Sequence, residues 1–476
     1  MRAVARTAEP PQATASDREF GSFRDPSGFL FWRDGEIYRL VDDCYAPQFE
    51  AATTSGLFDK AIAAGLMLPF ATLDADAIEH GGADRGAIAI LKPKQLRAIS
   101  YPYEWSFTQL QDAALATLDL HLLAIEHGMI LKDASAYNIQ FDEGRPSHID
   151  HLSFDSLSDH TAWPAYGQFC RHFLAPLLLM SYVGLSLGRL LQIHIDGVPL
   201  DLASAMLPAR TKFNPAIQMH LHLHARMAQK YSDAKGAGKA AAKPLSQSAS
   251  RAIATSLRGL IARLQPNDQS TEWGDYYAAT NYSDTSFDAK KRLVRDFVQR
   301  ADPKILWDIG GNNGEFSHAI DDLADHILCM DIDPRAVDQN YRRCRHEGVT
   351  NILPIVADLT NPAPGVGFAN RERPALFERG RPDAIMALAL IHHLAITNNL
   401  PLTHIAEFLG DHTNTLIVEF VPKSDSQVKR LLASRKDIFA DYTEAGFRSA
   451  FSQVFRFDAA APIPESDRTL FLMTRR

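Results

Sequence analysis

The spacing of apolar positions along this chain changes near Phe287. Downstream, short apolar runs alternate with stretches of helical period. The runs lie near Ile305–Ile309, Ile327–Asp331, Ile352–Val356, Ala384–Ala389 and Leu416–Phe420. Strands that alternate with helices predict a parallel sheet covered on both faces. Phe451–Phe457 and Leu470–Thr474 flank a proline-rich turn and predict a closing antiparallel hairpin. Upstream the pattern is mixed. Asp34-Gly35 between two β-rich runs predicts a hairpin over Ser27–Val41. Phe49–Leu66 and Thr108–His127 predict helices, the second stopped by Gly128. Ala87–Trp105 predicts two strands, and helices dominate from Tyr166 to about Ser232.

These patterns divide the chain. Residues 1–20, with Pro10-Pro11, read as a disordered tail. Residues 21–232 form an α+β region. Residues 233–270 hold a polar linker (DAKGAGKAAAKPLSQSAS, Asp233–Ser250) and a helix over Arg251–Leu264. Residues 271–476 carry the α/β sheet. The most apolar run, Phe173–Gly188, is interrupted by Pro176, Ser181 and Ser186. It is shorter than the ~20 residues of a membrane span, so it reads as a buried core helix.

Composition adds little constraint. An apolar share of 46% and a charged share of 22% fit a globular protein. The net charge of −8 gives no overall reason for a nucleic-acid or anionic-membrane partner, though it leaves room for a local basic patch. Cys44, Cys170, Cys329 and Cys344 are scattered, which points to a reducing compartment. With no apolar leader in the first twenty residues, the expected location is the cytoplasm.

The first strand of the sheet runs into Asp308-Ile-Gly310-Gly311-Asn312-Asn313-Gly314-Glu315. A glycine-rich strand-to-helix turn lets backbone approach a ligand closely. The second strand ends in Asp331, where a carboxylate can accept both hydroxyls of a ribose. The third ends in Ala357-Asp358-Leu359, where an acid can accept from an adenine amino group. Helix capping explains any one of these acids but poorly explains three in order. Together with the closing hairpin, this order resembles the class I S-adenosylmethionine (SAM)-dependent methyltransferases over residues 287–476. The resemblance implies a seven-stranded sheet, SAM as cofactor, and contacts from Asp308, Gly310, Gly311, Asn312, Gly314, Asp331, Ile332, Asp358, Leu359 and Ala389. Asn312 stands where the family has a glycine; Asn tolerates positive φ, so the turn survives. The aromatic stretch Trp273-Gly-Asp-Tyr276-Tyr277 with Asn281-Tyr282 is either a lid over SAM, with Tyr277 and Lys290 at the cofactor, or a strap on the sheet.

After the fourth strand come Ile391-His392-His393-Leu394. In this family that loop faces the reacting methyl. A histidine there is a candidate base for a hydroxyl or amine acceptor, and a structural hydrogen bond is the alternative. Glu419, in Val418-Glu-Phe-Val-Pro-Lys423, is a candidate to touch the acceptor or orient a histidine. His220, His222 and His224 share a face only on a strand; on the helix expected there they do not make a zinc set, so no metal is assigned.

In the N-terminal region, Lys132-Asp133-Ala-Ser-Ala-Tyr-Asn138 follows a long helix, and Asp150 lies farther on. Asp133, Asn138 and Asp150 resemble the catalytic loop and metal-binding acid of protein-kinase-like phosphotransferases. No G-x-G-x-x-G occurs near the first hairpin, no lysine suits the strand position, and Leu152-Ser153 follows Asp150. These departures favour an inactive kinase-like scaffold over a working kinase, with a nucleotide or the acceptor as its implied ligand; an unrelated helical domain with a chance D-x4-N is the alternative. Tyr101-Pro-Tyr-Glu-Trp105, Leu131-Lys-Asp-Ala-Ser-Ala-Tyr-Asn138 and Glu419-Phe-Val-Pro-Lys423 are together similar to nodulation-type bacterial methyltransferases. The leading expectation is methyl transfer from SAM to a small-molecule or saccharide acceptor. Two rivals stand beside it: a regulatory binding protein with a vestigial SAM fold, and a bifunctional kinase–methyltransferase.

Overall fold

The computed structural model describes residues 17–78, 86–227, 246–267, 284–433 and 435–476. The carboxy-terminal part is a seven-stranded sheet built from β10 (Ile305–Ile309), β11 (His326–Asp331), β12 (Ile352–Val356), β13 (Ala384–Ala387), β14 (Thr415–Phe420), β15 (Phe455–Pro462) and β16 (Thr469–Arg475). Their order is β12-β11-β10-β13-β14-β16-β15. The five strands from β10 to β14 run parallel, and β16 enters antiparallel between β14 and β15. This is the sheet the class I methyltransferase resemblance implies. Chain order reverses direction between β10 and β13, which opens a crevice at the carboxyl ends of those strands.

Burial explains the strand sequences. Every residue of β13 is buried, as a central strand covered on both faces requires. The edge strand β15 instead alternates between covered and solvent-facing positions. Side chains of β10 split by pleat. Leu306 faces a core with Val294, Phe297 and Val298 of the helix Asp284–Ala301. Trp307 and Ile309 face a second core, which continues into the amino-terminal part.

That amino-terminal part begins with a five-stranded antiparallel sheet of order β1-β2-β3-β5-β4. Its strands are β1 (Asp17–Arg18), β2 (Gly28–Arg33), β3 (Glu36–Asp42), β4 (Phe70–Leu73) and β5 (Ala87–Pro93). Helices α1 (Ala46–Thr54) and α2 (Leu57–Ala63) follow β3. The long helix α3 (Phe107–Glu126) opens with a capping box between Ser106 and Gln109. Two short ladders follow it, pairing β6 (Met129–Leu131) with β9 (Phe154–Ser156) and β7 (Ile139–Asp142) with β8 (Arg145–His148).

The two parts share a polar seam across the continuous core. The Thr108 N–H donates to Asp338 Oδ1 at 2.7 Å, Gln109 Nε2 to the Pro354 carbonyl at 2.9 Å, and the Tyr341 hydroxyl to Asp112 Oδ2 at 2.9 Å. Arg379 forms a buried ion pair with Glu104; one contact, Nη1 to Oε2, is 2.8 Å.

Several sequence expectations shift. The helix expected over Phe49–Leu66 is two helices, because Gly56 takes φ +75° between them. Only Ala87–Pro93 of the expected strand pair is a strand, and its hairpin partner is β4. The chain from Lys94 to Trp105 folds as coil and a short turn that buries Tyr101, Tyr103 and Trp105. Residues 17–18 pair with β2, within the span expected to be a disordered tail; residues 1–16 of that span lie outside the described residues. A helix spans Gln247–Ile261, and the linker expectation fails for its last residues. The closing hairpin starts at Phe455, because Glu444–Phe451 is helical. The apolar run at 173–188 is a buried helix, Ala175–Tyr182, followed by a tight helical turn. No helix among the described residues is long and apolar enough to cross a membrane.

Candidate functional site

The carboxyl ends of β10, β11, β12 and β13 surround a cavity of about 370 Å³. It holds ten of the residues singled out from sequence: Asp308, Gly310, Gly311, Asn312, Asp331, Ile332, Asp358, Leu359, Ala389 and His393. The turn after β10 is shaped for close approach. Gly310 and Asn312 take φ +75° and +51°, so the asparagine does keep the left-handed conformation expected of it. A Cβ on Gly311 would sit 2.5 Å from Cys329 Sγ, so no side chain fits there.

Asp331 is held at the strand end. Its Oδ2 accepts from the Asn312 N–H at 2.8 Å and its Oδ1 from the Asp333 N–H at 2.9 Å. Asp333, not Asp331, caps the helix Pro334–Glu347, so capping does not account for Asp331. Burial pushes the pKa of both Asp331 and Asp308 up to about 6. Asp308 accepts from the Ser317 hydroxyl at 2.6 Å. Asp358 uses Oδ1 to accept from the Thr360 N–H and hydroxyl at 2.9 and 2.7 Å. It therefore caps its own turn while lining the cavity.

The cavity wall also carries a buried, ion-paired lysine, Lys290. It lies 4.5 Å from the centre of the Phe316 ring and is 2.7 Å from Glu419 Oε2. Arg468 stands 3.5 Å from Glu419 Oε1 and 2.8 Å from Asp425. Burial lowers the pKa of Lys290, and Glu419 works against that shift. The sequence pointed to Lys290 only as an accompaniment to the aromatic stretch. The residues of that stretch (Trp273, Tyr276, Tyr277, Asn281 and Tyr282) lie outside the described residues.

Three candidates sit elsewhere than expected. Glu419 is fully buried in its ion pair with Lys290 and does not line the cavity. His392 is also fully buried, and neither of its ring nitrogens has a hydrogen-bond partner among the described residues. Its ring centre is 4.1 Å from that of His393. Gly314 lies behind the cavity at the start of a helix, where a Cβ would meet Asn340 at 2.3 Å. His393 alone of the pair faces the cavity, at the start of a π-helical turn, His393–Thr397. Burial lowers its pKa to about 4, so it is neutral near pH 7. Ala389 takes φ +50°, a strained conformation for a residue with a Cβ, at the mouth of the same loop. Leu390, Leu394, Thr397, Asn398 and Leu431 line the rest of this side. Leu394 belongs to the Ile391-His392-His393-Leu394 motif; the others come from the same turn and a later helix with no motif of their own, and sequence reasoning gave them no role.

The amino-terminal triplet also converges. Asp133 and Asn138 lie between β6 and β7, and Asp150 follows β8. Asp133 Oδ1 accepts from the Ser135 N–H at 3.0 Å and from Gln168 Nε2 at 2.8 Å. Asp150 accepts from the Ser153 hydroxyl at 2.6 Å. Arg39 on β3 lies 3.5 Å from Asp150 Oδ1 and pairs with Asp25. Lys92 pairs with Glu36, and Lys94 with Asp142 and Glu143. Among the described residues no group of three or more metal-ligating side chains is assembled. His220 bonds Tyr166 and Ser256, and His222 bonds Ser204 and Thr211, which accounts for both without a metal.

No family model matches the chain. It is 36% identical over 479 residues to the nodulation protein NoeA of Rhizobium meliloti (strain 1021), covering 99% of this chain and 100% of that protein. Solved structures with partial likeness include the N-methyltransferase NodS from Bradyrhizobium japonicum WM9 (9% identical, 40% of this chain and 98% of that one, TM-score 0.31). Another is the bifunctional kinase–methyltransferase WbdD (15% identical, 46% of each chain, TM-score 0.30). A third is the magnesium protoporphyrin IX methyltransferase ChlM from Synechocystis PCC 6803 (14% identical, 43% and 93%, TM-score 0.31). At such scores the case for the fold rests on the strand order and register described above.

Proposed function

The chain belongs to the family of the nodulation protein NoeA, and from that premise we propose that it is a SAM-dependent methyltransferase acting on a small-molecule or saccharide acceptor. One observation carries the reading. Asp308, Asp331 and Asp358, from three neighbouring strand ends, converge with the glycine turn on one cavity. Asp331 and Asp358 suit a ribose and an adenine at the β11–β12 end. Lys290, which also lines the cavity, suits the carboxylate of SAM. Bound there, SAM supplies an electrophilic methyl group. The protein's share is to orient the acceptor beside His393, which as a neutral imidazole can take the acceptor's proton at a ring nitrogen. Glu419 serves to hold Lys290 and is a positioning residue. Calorimetry with SAM tests the reading: wild type is expected to bind and Asp331→Ala to lose most affinity, and equal heats from both would remove it.

A second reading concerns residues 21–232, which we propose form a kinase-like scaffold for a nucleotide or for the acceptor. Its support is the placement of Asp133 and Asn138 before β7 and Asp150 before β9, with Arg39 facing Asp150. Arg39 is already engaged by two carboxylates, which argues against a working phosphotransfer centre. A thermal shift with ATP–magnesium is the expected sign of the scaffold. Phosphate transfer abolished by Asp133→Asn would instead make the protein bifunctional.

A further inference from the structure

The helical stretch 215–227 is apolar on both sides. Its buried side carries Ile217, Leu221 and Ala225 together with His220 and His222, whose ring nitrogens bond Tyr166, Ser256, Ser204 and Thr211 at 2.8–2.9 Å. Its outer side carries Met219, Leu223 and Met227, 48%, 44% and 47% exposed, at a spacing of four. Phe213, at the entry to the helix, is 87% exposed. A helix that exposes an apolar row in addition to its buried apolar face lacks the usual reason for its pattern unless the outer face has a partner.

The charge around it narrows the partner. Arg210, Lys212 and Arg226 are exposed on the same stretch, and from Leu207 to Met227 there is no acid. More broadly, from Leu202 to Arg251 the sequence carries eight lysines and arginines against one acid, Asp233, in a chain whose net charge is −8. We infer that the outer face of 215–227, with Phe213, docks on an anionic lipid surface. Methionine, leucine and phenylalanine enter the boundary between headgroups and acyl chains, while the flanking cations meet the headgroups. A second copy of this chain fits poorly, since it would bring two sets of like charges together. A nucleic acid would match the cations but leave the apolar side chains with nothing to bury against. The contact is peripheral, because no described helix can span a bilayer.

The test is co-sedimentation of the full chain with vesicles of phosphatidylcholine alone and of phosphatidylcholine mixed with phosphatidylglycerol. Binding is expected only to the mixed vesicles and is expected to vanish at about 1 M salt, where screening acts within about 3 Å. Arg226→Ala should weaken it about fivefold, and Phe213→Ser and Leu223→Ser several-fold each. These positions are exposed, so the variants keep the fold, which circular dichroism checks. The inference is overturned if neither vesicle binds, if both bind equally, or if the serine variants bind like wild type. It is also overturned if a single-stranded RNA binds and the same substitutions abolish that binding.

Discussion

His393 is neutral through the physiological range, because burial holds its pKa near 4. A base must be unprotonated to act, so with SAM saturating the chemical step is lost only as pH falls through that value. The acid limb of kcat at saturating SAM is therefore expected near pH 4 and not near the ordinary histidine value of about 6.5. His393→Ala should keep SAM affinity by calorimetry while lowering turnover about 10²–10⁴-fold; unchanged turnover would reassign the base. Asp331 runs the other way. Burial raises its pKa to about 6, so the folded protein holds that proton more tightly than an ordinary aspartate does. Protonation removes an acceptor for ribose hydroxyls. SAM affinity is expected to fall as pH drops through about 6 and to level off above it, measured by calorimetry across pH in wild type. His392 and Glu419 show the limit of motif reading at this scale. Both stand in suggestive positions in the sequence, yet pleat and turn rotate them into the core.

Elements carry the next set of constraints. The turn after β10 depends on residues that tolerate positive φ and on bare backbone. Gly314 takes φ +78° with Asn340 directly against it. Gly314→Ala is expected to lower stability by about 1–3 kcal/mol, from left-handed strain plus displacement of Asn340. Thermal unfolding with and without SAM measures it. The helix expected at Phe49–Leu66 divides at Gly56, and the second strand expected before Trp105 is absent. The first is a local effect, a glycine at φ +75°; in the second, local propensity lost to packing, since three aromatic side chains of 94–105 are drawn into the core, which no period of two could report.

At the scale of the whole molecule, the amino-terminal part and the sheet meet through a dry, charged contact. Arg379 and Glu104 are both nearly inaccessible, at 5% and 2% exposed. Removing one partner strands the other charge. Arg379→Met alone is expected to cost about 3–5 kcal/mol, and pairing it with Glu104→Leu to recover much of that loss. Chemical denaturation of the two single variants and the double variant checks this, and equal, additive losses would mean the charges do not interact. Because the β12–β13 connection bears both Arg379 and Asp358, the amino-terminal part braces one wall of the cavity.

The order of strands, the glycine turn and the acids at Asp308, Asp331 and Asp358 were legible in the chain alone. They depend on spacing within short segments, and a parallel sheet brings consecutive strand ends to one edge. The pairing of Lys290 with Glu419, the placement of His393 but not His392 on the cavity wall, the approach of Arg39 to Asp150 and the outward-facing methionines were decided only by tertiary structure. Each depends on which way a side chain points once segments far apart in sequence have packed, and local spacing carries no record of that.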